Sequence, residues 1–106
     1  MQELQSSVQP RYQTAEVATI EVYGRMGKLV AKMKNLSVTG AYLQLMEGGY
    51  VPTKGDVIHA VIHLRTIRRS RSFDAEVVWM SGLGFGINFL KKQDVVDRMF
   101  TQKRFL

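Results

Sequence analysis

The sequence predicts an all-β domain, a six-stranded antiparallel barrel followed by one short C-terminal α-helix. Two observations carry this prediction. Six segments alternate apolar and polar residues with the period of two that a half-buried strand requires, and turns rich in glycine separate most of them. A single amphipathic segment follows the last strand. Closing the sheet into a barrel removes the strand edges that would otherwise pair with other chains.

Three strands are predicted in the first half of the chain, over 12–23, 28–34 and 41–46. A turn with two glycines separates the first two, and the turn-prone segment 35–40 separates the second from the third. Each strand places apolar residues on one face and mainly polar residues on the other. The residues that share one face in each strand are Ala18, Ile20 and Val22, then Leu29, Ala31 and Met33, then Ala41, Leu43 and Leu45.

Three further strands are predicted in the second half, over 57–64, 72–80 and 85–90. A glycine-bearing loop precedes the first, a basic connection joins the first two, and a turn with two glycines joins the last two. Period-two alternation predicts that Trp79 faces the core. The inward-facing residues of these strands are predicted to include Ile58, Ala60, Ile62, Leu64, Phe73, Ala75, Val77 and Trp79.

The segment that begins at Asp94 predicts a short amphipathic helix. Asp94 is a plausible N-cap, and Lys103 and Arg104 lie in the last turn, where positive charge favours the helix dipole. The apolar face is expected to cover one open end of the sheet. It is formed by residues at helical spacing, namely Val95, Val96, Met99 and Phe100.

Composition and charge favour a single soluble domain. The chain has 106 residues, the usual size of one domain, and contains no cysteine, which excludes disulfides and thiolate metal sites. No stretch approaches the roughly 20 apolar residues of a membrane span, and no secretory signal is visible, so we expect a cytoplasmic location without membrane insertion. We divide the chain into a flexible N-terminal arm at 1–10 and a barrel domain with its helix at 11–106. A formal net charge of +6 favours anionic partners, among them nucleotides, nucleic acids and acidic proteins.

Two motifs narrow the prediction. Asn35, Ser37 and Gly40 form N-x-S-x-x-G between the second and third strands, a pattern that by itself is typical of an Asx-type turn with a left-handed glycine. Residues 75–89, AEVVWMSGLGFGINF, form a hairpin in which V-x-W leads through glycines into G-I-x-F. Both motifs resemble those of the PilZ domain family, whose signature is (D/N)-x-S-x-x-G. The resemblance covers about residues 10–100 and implies a PilZ-like six-stranded barrel.

A third family motif, R-x-x-x-R before the first strand, is matched only in part. Arg11 takes the position of the second arginine, and Ser7 takes that of the first. In the family these arginines hold cyclic di-GMP, a bacterial second messenger, through its guanine bases and phosphates. In some members of the family, the residue at the position of Trp79 lies beside the ligand. The resemblance therefore implies a cyclic di-GMP site that contains Arg11, Asn35, Ser37, Gly40 and Trp79.

The function implied by the resemblance is that of a cyclic di-GMP effector, which signals to a protein partner in the control of motility or biofilm formation. Loss of one bidentate arginine contact is expected to weaken binding by about 1 to 3 kcal/mol. Ser7 also favours an alternative, a degenerate PilZ-type interaction module that binds no nucleotide and docks on a protein of the pilus or motility machinery. No cofactor besides the suspected ligand is expected.

Other classes of function have less support. The sequence contains no nucleophile with a paired base, no phosphate-binding glycine loop and no paired carboxylates, so we do not predict an enzyme. His59 and His63 lie four residues apart on one strand, about 13 Å, which is too far for two ligands of one metal ion. Nucleic-acid binding through the basic connection at 65–71 is a third alternative, although Phe73 is the one aromatic residue near it.

Overall fold

The computed structural model describes residues 12–14, 16–64 and 68–102 of the chain. The predicted N-terminal arm, Arg11, Lys103 and Arg104 lie outside the described residues. Within them the chain forms seven strands and one helix. These are β1 (Tyr12–Gln13), β2 (Val17–Val22), β3 (Lys28–Leu36), β4 (Gly40–Glu47), β5 (Val57–Leu64), β6 (Arg69–Ser81), β7 (Gly84–Leu90) and α1 (Lys92–Gln102).

Six of the strands close into an antiparallel barrel, in the order β2, β5, β6, β7, β4, β3 and back to β2. The two-residue strand β1 pairs with the same side of β3 as β2 does, with Tyr12 opposite Leu36. The predicted first strand is therefore interrupted between β1 and β2. Two backbone hydrogen bonds bridge the interruption, from Thr14 N to Lys34 O at 3.1 Å and from Met33 N to Glu16 O at 2.8 Å. The predicted six-stranded barrel with a C-terminal helix is confirmed.

The barrel interior is filled by the apolar faces of the strands, as the alternation predicts. Leu45 and Leu64 pack against this core from less buried positions. Burial of each large aliphatic or aromatic side chain contributes about 1.5 to 3 kcal/mol of hydrophobic stabilisation. The largest fully buried apolar residues are Phe85, Ile20, Leu29, Met33, Leu43, Ile58 and Ile87.

Three register shifts interrupt the regular pairing of the strands: one between Val30 and Ala31, where β3 pairs with β4, and two bulges further along β3 and β6. In β3, Met33 pairs with Leu43 but Asn35 pairs with Tyr42, so one residue of β3 is extra. In β6, Val77 pairs with Ile87 but Trp79 pairs with Gly86. A bulge of this kind reverses the inward and outward alternation beyond it.

The β6 bulge overturns the predicted inward position of Trp79. Its side chain is 44% exposed and lies on the outer wall of the barrel, whereas Ala75 and Val77 on the same strand are buried as expected. The physical reason is the extra residue, Val78, because it changes which face the following side chain occupies. The periodicity of an isolated strand does not reveal such an insertion.

Helix α1 begins earlier than predicted, at Lys92. Asp94 is therefore its third residue and not its N-cap. The Asp94 carboxylate accepts a hydrogen bond from the backbone N–H of Lys91 at 3.4 Å, which is the reverse half of a capping box. Val95 is buried against the barrel, and the Arg98 guanidinium donates to Oε1 of Glu76 on β6 at 3.1 Å. The described residues include no helix with the length and apolar character of a membrane span.

Candidate ligand-binding site

An open cleft of about 370 Å³ lies on the outer wall of the barrel. Its walls come from four strands, β3, β4, β7 and β6, which are neighbours in the closed sheet. Small-molecule sites commonly occupy about 300 to 1,000 Å³, so the cleft has the size of a ligand site. It is lined by Asn35, Ala41, Tyr42, Val78, Trp79, Gly86, Ile87 and Asn88.

A single row of paired residues crosses the floor of this cleft. Asn35 pairs with Tyr42, Tyr42 pairs with Gly86, and Gly86 pairs with Trp79. Residues paired across neighbouring strands project from the same face of a sheet. Both bulges lie just before a member of this row, so they bring Asn35 and Trp79 into register with the two residues between them.

Tyr42 and Trp79 form a stacked aromatic pair above the row. Their ring centroids are 5.3 Å apart, and the ring planes differ by 21°. Tyr42 and Trp79 are on strands β4 and β6, which lie on either side of β7. Neighbouring strands are about 4.8 Å apart, so the two rings must lean toward each other over the outer face of β7. Gly86 provides the space, since a Cβ atom there would overlap the indole Nε1 of Trp79. A Cβ atom at Gly84 would lie 2.5 Å from the Tyr42 hydroxyl oxygen.

Two side-chain amides line the cleft beside the aromatic pair. Asn35 is half-buried, and Asn88 on β7 is exposed. The Asn88 Oδ1 atom lies 3.2 Å from the position that a Cβ atom of Gly40 would take. An amide offers one acceptor and two donors, so the two residues can recognise the polar edge of a planar heterocycle. Among the residues that line the described cleft, none carries a formal charge.

Ser37 does not line the cleft, and its hydroxyl stabilises the turn between β3 and β4. The residue is 5% exposed. Its backbone N–H donates to the carbonyl oxygen of Gly40 at 2.9 Å, and its hydroxyl donates to the same oxygen at 3.3 Å. The Thr39 hydroxyl lies 3.5 Å from the Ser37 hydroxyl. The serine of the signature therefore has a structural partner within its own turn.

Gly40 is required for close packing and not for a left-handed turn. The φ angle of Gly40 is not positive, so the predicted left-handed glycine is not found at this position. A Cβ atom at Gly40 would instead overlap the backbone carbonyl oxygen of Ile87 on the paired strand β7. The glycine lets the first residue of β4 approach β7 closely.

The structure thus places the five sequence-predicted site residues in three locations. Asn35 and Trp79 line the same cleft, Ser37 and Gly40 form the adjacent turn, and Arg11 lies outside the described residues. In sequence, Arg11 immediately precedes β1, whose Tyr12 pairs with Leu36 between Asn35 and Ser37.

Sequence reasoning did not identify the other six lining residues of the cleft, among them Tyr42, Gly86 and Asn88. The alternation in the third strand does place Tyr42 on the outer face, which was an available signal. No comparable signal marks Gly86 or Asn88, because their neighbours depend on the register of β7 with β4 and β6.

The two histidines lie elsewhere on the outer face. His59 Nδ1 is 3.0 Å from Oδ1 of Asp74, and His63 Nδ1 is 3.1 Å from the Ser70 hydroxyl. Each histidine therefore has its own hydrogen-bond partner on β6.

The described residues form a small antiparallel β-barrel with an aromatic and amide cleft on its outer wall. The chain belongs to the PilZ domain family, whose model matches residues 8–102. This range includes Arg11, the N-x-S-x-x-G signature and Trp79, and it confirms the resemblance seen in the sequence. PilZ domains are binding and effector modules rather than enzymes, and they are generally cyclic di-GMP effectors. No curated protein matches the chain.

Proposed function

We propose that this domain binds cyclic di-GMP in the outer cleft and signals its level to a protein partner. The observation that carries the proposal is the row from Asn35 to Trp79, because it joins a residue of the family signature to an exposed aromatic ring across four strands. The proposal includes a bacterial, cytoplasmic setting and a role in motility or biofilm control.

The chemistry of guanine suits the two ends of this row. The N1 and N2 donors of guanine match an oxygen acceptor such as the Asn35 side chain. A base can also stack on an exposed indole, and Trp79 is 44% exposed. Asn35 therefore reads the base edge, and Trp79 supports the base plane.

The phosphates of cyclic di-GMP require positive charge that the described lining of the cleft does not supply. Arg11 is the candidate for this contact, since it directly precedes the strand that pairs with the signature segment. A guanidinium binds phosphate or the O6 and N7 acceptors of guanine through two parallel hydrogen bonds. Ligand binding would draw the N-terminal segment onto the barrel, and a partner would recognise the ordered surface.

A second candidate function follows from Ser7, which replaces the first arginine of the family motif. With one arginine fewer, the domain can be a degenerate PilZ-type module that binds no nucleotide and docks on a protein. The engagement of the Ser37 hydroxyl in its own turn also favours this candidate, because that hydroxyl already donates to Gly40 O.

Titration calorimetry with cyclic di-GMP distinguishes the two candidates. The native chain, Arg11→Ala and Ser7→Arg should be titrated in parallel, with cyclic di-AMP as the matched ligand that lacks the guanine N1 and N2 donors. We expect the native chain to bind cyclic di-GMP in preference to cyclic di-AMP, Arg11→Ala to lose about 1 to 3 kcal/mol, and Ser7→Arg to gain a similar amount.

Each outcome of the titration has a distinct meaning. Binding by Ser7→Arg alone would show a persistent cleft in a protein that works without the ligand, which is the degenerate module. No binding by the native chain and none by Ser7→Arg would reject the nucleotide site. Equal affinities of the native chain and Arg11→Ala would remove Arg11 from the site.

A further inference from the structure

We propose that Tyr42 is a positioning residue that holds Trp79 over Gly86, so that the indole forms a fixed stacking surface for a purine base. The inference rests on the proposed function, because it concerns the same cleft. Stacking at 5.3 Å and 21° on the side of Tyr42 leaves Trp79 44% exposed. The exposed part of the indole is the surface available to a base.

Trp79 needs such a support because of where the β6 bulge places it. The side chain lies on the outer wall, opposite a glycine that offers no side chain for lateral contact. An exposed aromatic side chain without a neighbour samples several rotamers, and ordering it on binding reduces affinity. Contact with the Tyr42 ring and with the Gly86 backbone restricts the indole before the ligand arrives.

Tyr42 is itself well fixed. It is half-buried and extends over Gly84, where a Cβ atom would lie 2.5 Å from the Tyr42 hydroxyl oxygen and 2.8 Å from Cε1. Each of the two outward-facing glycines of β7 therefore accommodates one ring, Gly84 that of Tyr42 and Gly86 that of Trp79. The rings meet above β7 and present a common aromatic surface next to Asn35 and Asn88.

The test uses Trp79 as its own probe, because it is the single tryptophan of the chain. Tyr42→Ala removes the supporting ring, and Tyr42→Phe is the matched control that keeps the ring and removes only the hydroxyl. Acrylamide quenching and fluorescence anisotropy of the ligand-free proteins measure the accessibility and mobility of the indole. Calorimetry with cyclic di-GMP measures affinity, and thermal unfolding followed by circular dichroism verifies that each variant is folded.

Gly86→Ala provides a second variant that leaves Tyr42 intact. Its added Cβ atom would overlap the indole, so Trp79 must leave its position over β7. The backbone at Gly86 is not left-handed, so alanine is compatible with the strand. This variant keeps the inference testable if Tyr42→Ala does not fold.

The inference predicts greater quenching, lower anisotropy and roughly tenfold weaker binding for Tyr42→Ala and Gly86→Ala, within the range of about 5- to 150-fold for loss of one base stack. Tyr42→Phe should match the native chain in quenching and anisotropy, because it keeps the ring that supports the indole. If the native chain binds cyclic di-GMP but Tyr42→Ala has the same affinity or the same quenching, the role of Tyr42 is overturned and the proposed function stands. Absence of cyclic di-GMP binding by the native chain would overturn both.

Discussion

The Tyr23 hydroxyl donates a hydrogen bond to Oδ1 of Asp74 across 2.9 Å. The same carboxylate oxygen lies 3.0 Å from Nδ1 of His59, so one acceptor joins the residue after β2 to both β5 and β6. Burial of the hydroxyl, its hydrogen bond to Asp74 and the negative charges of Asp74 and Glu21 raise the pKa of Tyr23 to about 12. Each of these effects favours the neutral phenol.

Tyr23→Phe should lower the free energy of unfolding by about 1 kcal/mol near neutral pH, because it removes this hydrogen bond. The folded-state pKa of about 12 exceeds the ordinary value of 10.0. The contribution is therefore fully present below pH 10 and is lost as the pH rises through 12. Urea unfolding of both proteins from about pH 7 to about pH 11 measures the difference, which should shrink at the alkaline end.

Tyr50→Phe is the matched control for this prediction. The Tyr50 hydroxyl oxygen is buried and has no hydrogen-bond partner among the described residues. Its removal should leave stability unchanged or increase it, because a buried unsatisfied polar group is unfavourable. If Tyr23→Phe and Tyr50→Phe behaved alike at every pH, the bond to Asp74 would have no energetic role.

Gly40→Ala should destabilise the barrel by about 2 to 3 kcal/mol, because its Cβ atom would overlap the carbonyl oxygen of Ile87 and force β4 away from β7. Gly49→Ala is the control, since a Cβ atom there meets nothing within 4 Å and its φ is not positive. That substitution should be neutral or stabilise by about 0.4 to 1 kcal/mol. Chemical unfolding measures both, and equal stability of the two variants would contradict the close packing of Gly40.

Asp56→Ala should lower the free energy of unfolding by about 3 kcal/mol, the largest loss among these substitutions. Asp56 is 1% exposed. Its carboxylate accepts hydrogen bonds from Thr53 N at 2.8 Å and from the Thr53 hydroxyl at 3.3 Å, and it lies 3.7 Å from Nη1 of Arg25. Removal of the carboxylate leaves the backbone N–H of Thr53 and the Arg25 guanidinium without this partner.

Asp97→Ala is the corresponding control for Asp56→Ala, because the Asp97 carboxylate is exposed and accepts one hydrogen bond from the Gln93 side chain at 3.2 Å. It should change the free energy of unfolding by no more than about 0.5 kcal/mol. Thermal and urea unfolding of the two variants should separate them clearly. A loss of less than about 1 kcal/mol for Asp56→Ala would show that this carboxylate does not stabilise the loop before β5.

Asn88→Ala should weaken cyclic di-GMP binding by about fivefold if the cleft is the ligand site, since it removes one neutral hydrogen-bonding group from the lining. The free energy of unfolding should change little, because Asn88 is exposed. Gln93→Ala is the control, as it removes an exposed amide on α1 that does not line the cleft. Calorimetry measures both affinities, and equal losses would exclude Asn88 from recognition.

Local sequence patterns predicted much of the barrel, because the apolar residues at every second position of a strand are the ones that become buried. Leu29, Ala31 and Met33 are buried as expected, as are Ile58 and Ala60. The helix was also predicted, but its start was placed two residues late. Asp94 resembles an N-cap in sequence, whereas its carboxylate instead accepts from the N–H of Lys91 at the helix start.

The strand pattern, the family signature and the candidate role of Asn35 could be predicted because each depends on residues close together in the chain. The position of Trp79, and the cleft that it shares with Tyr42, Gly86 and Asn88, could not be predicted in this way. They depend on the register between paired strands, some of which are distant in the chain. An extra residue in β3 and another in β6 reverse the facing of the residues beyond them, and pairing with the neighbouring strands determines where those bulges occur.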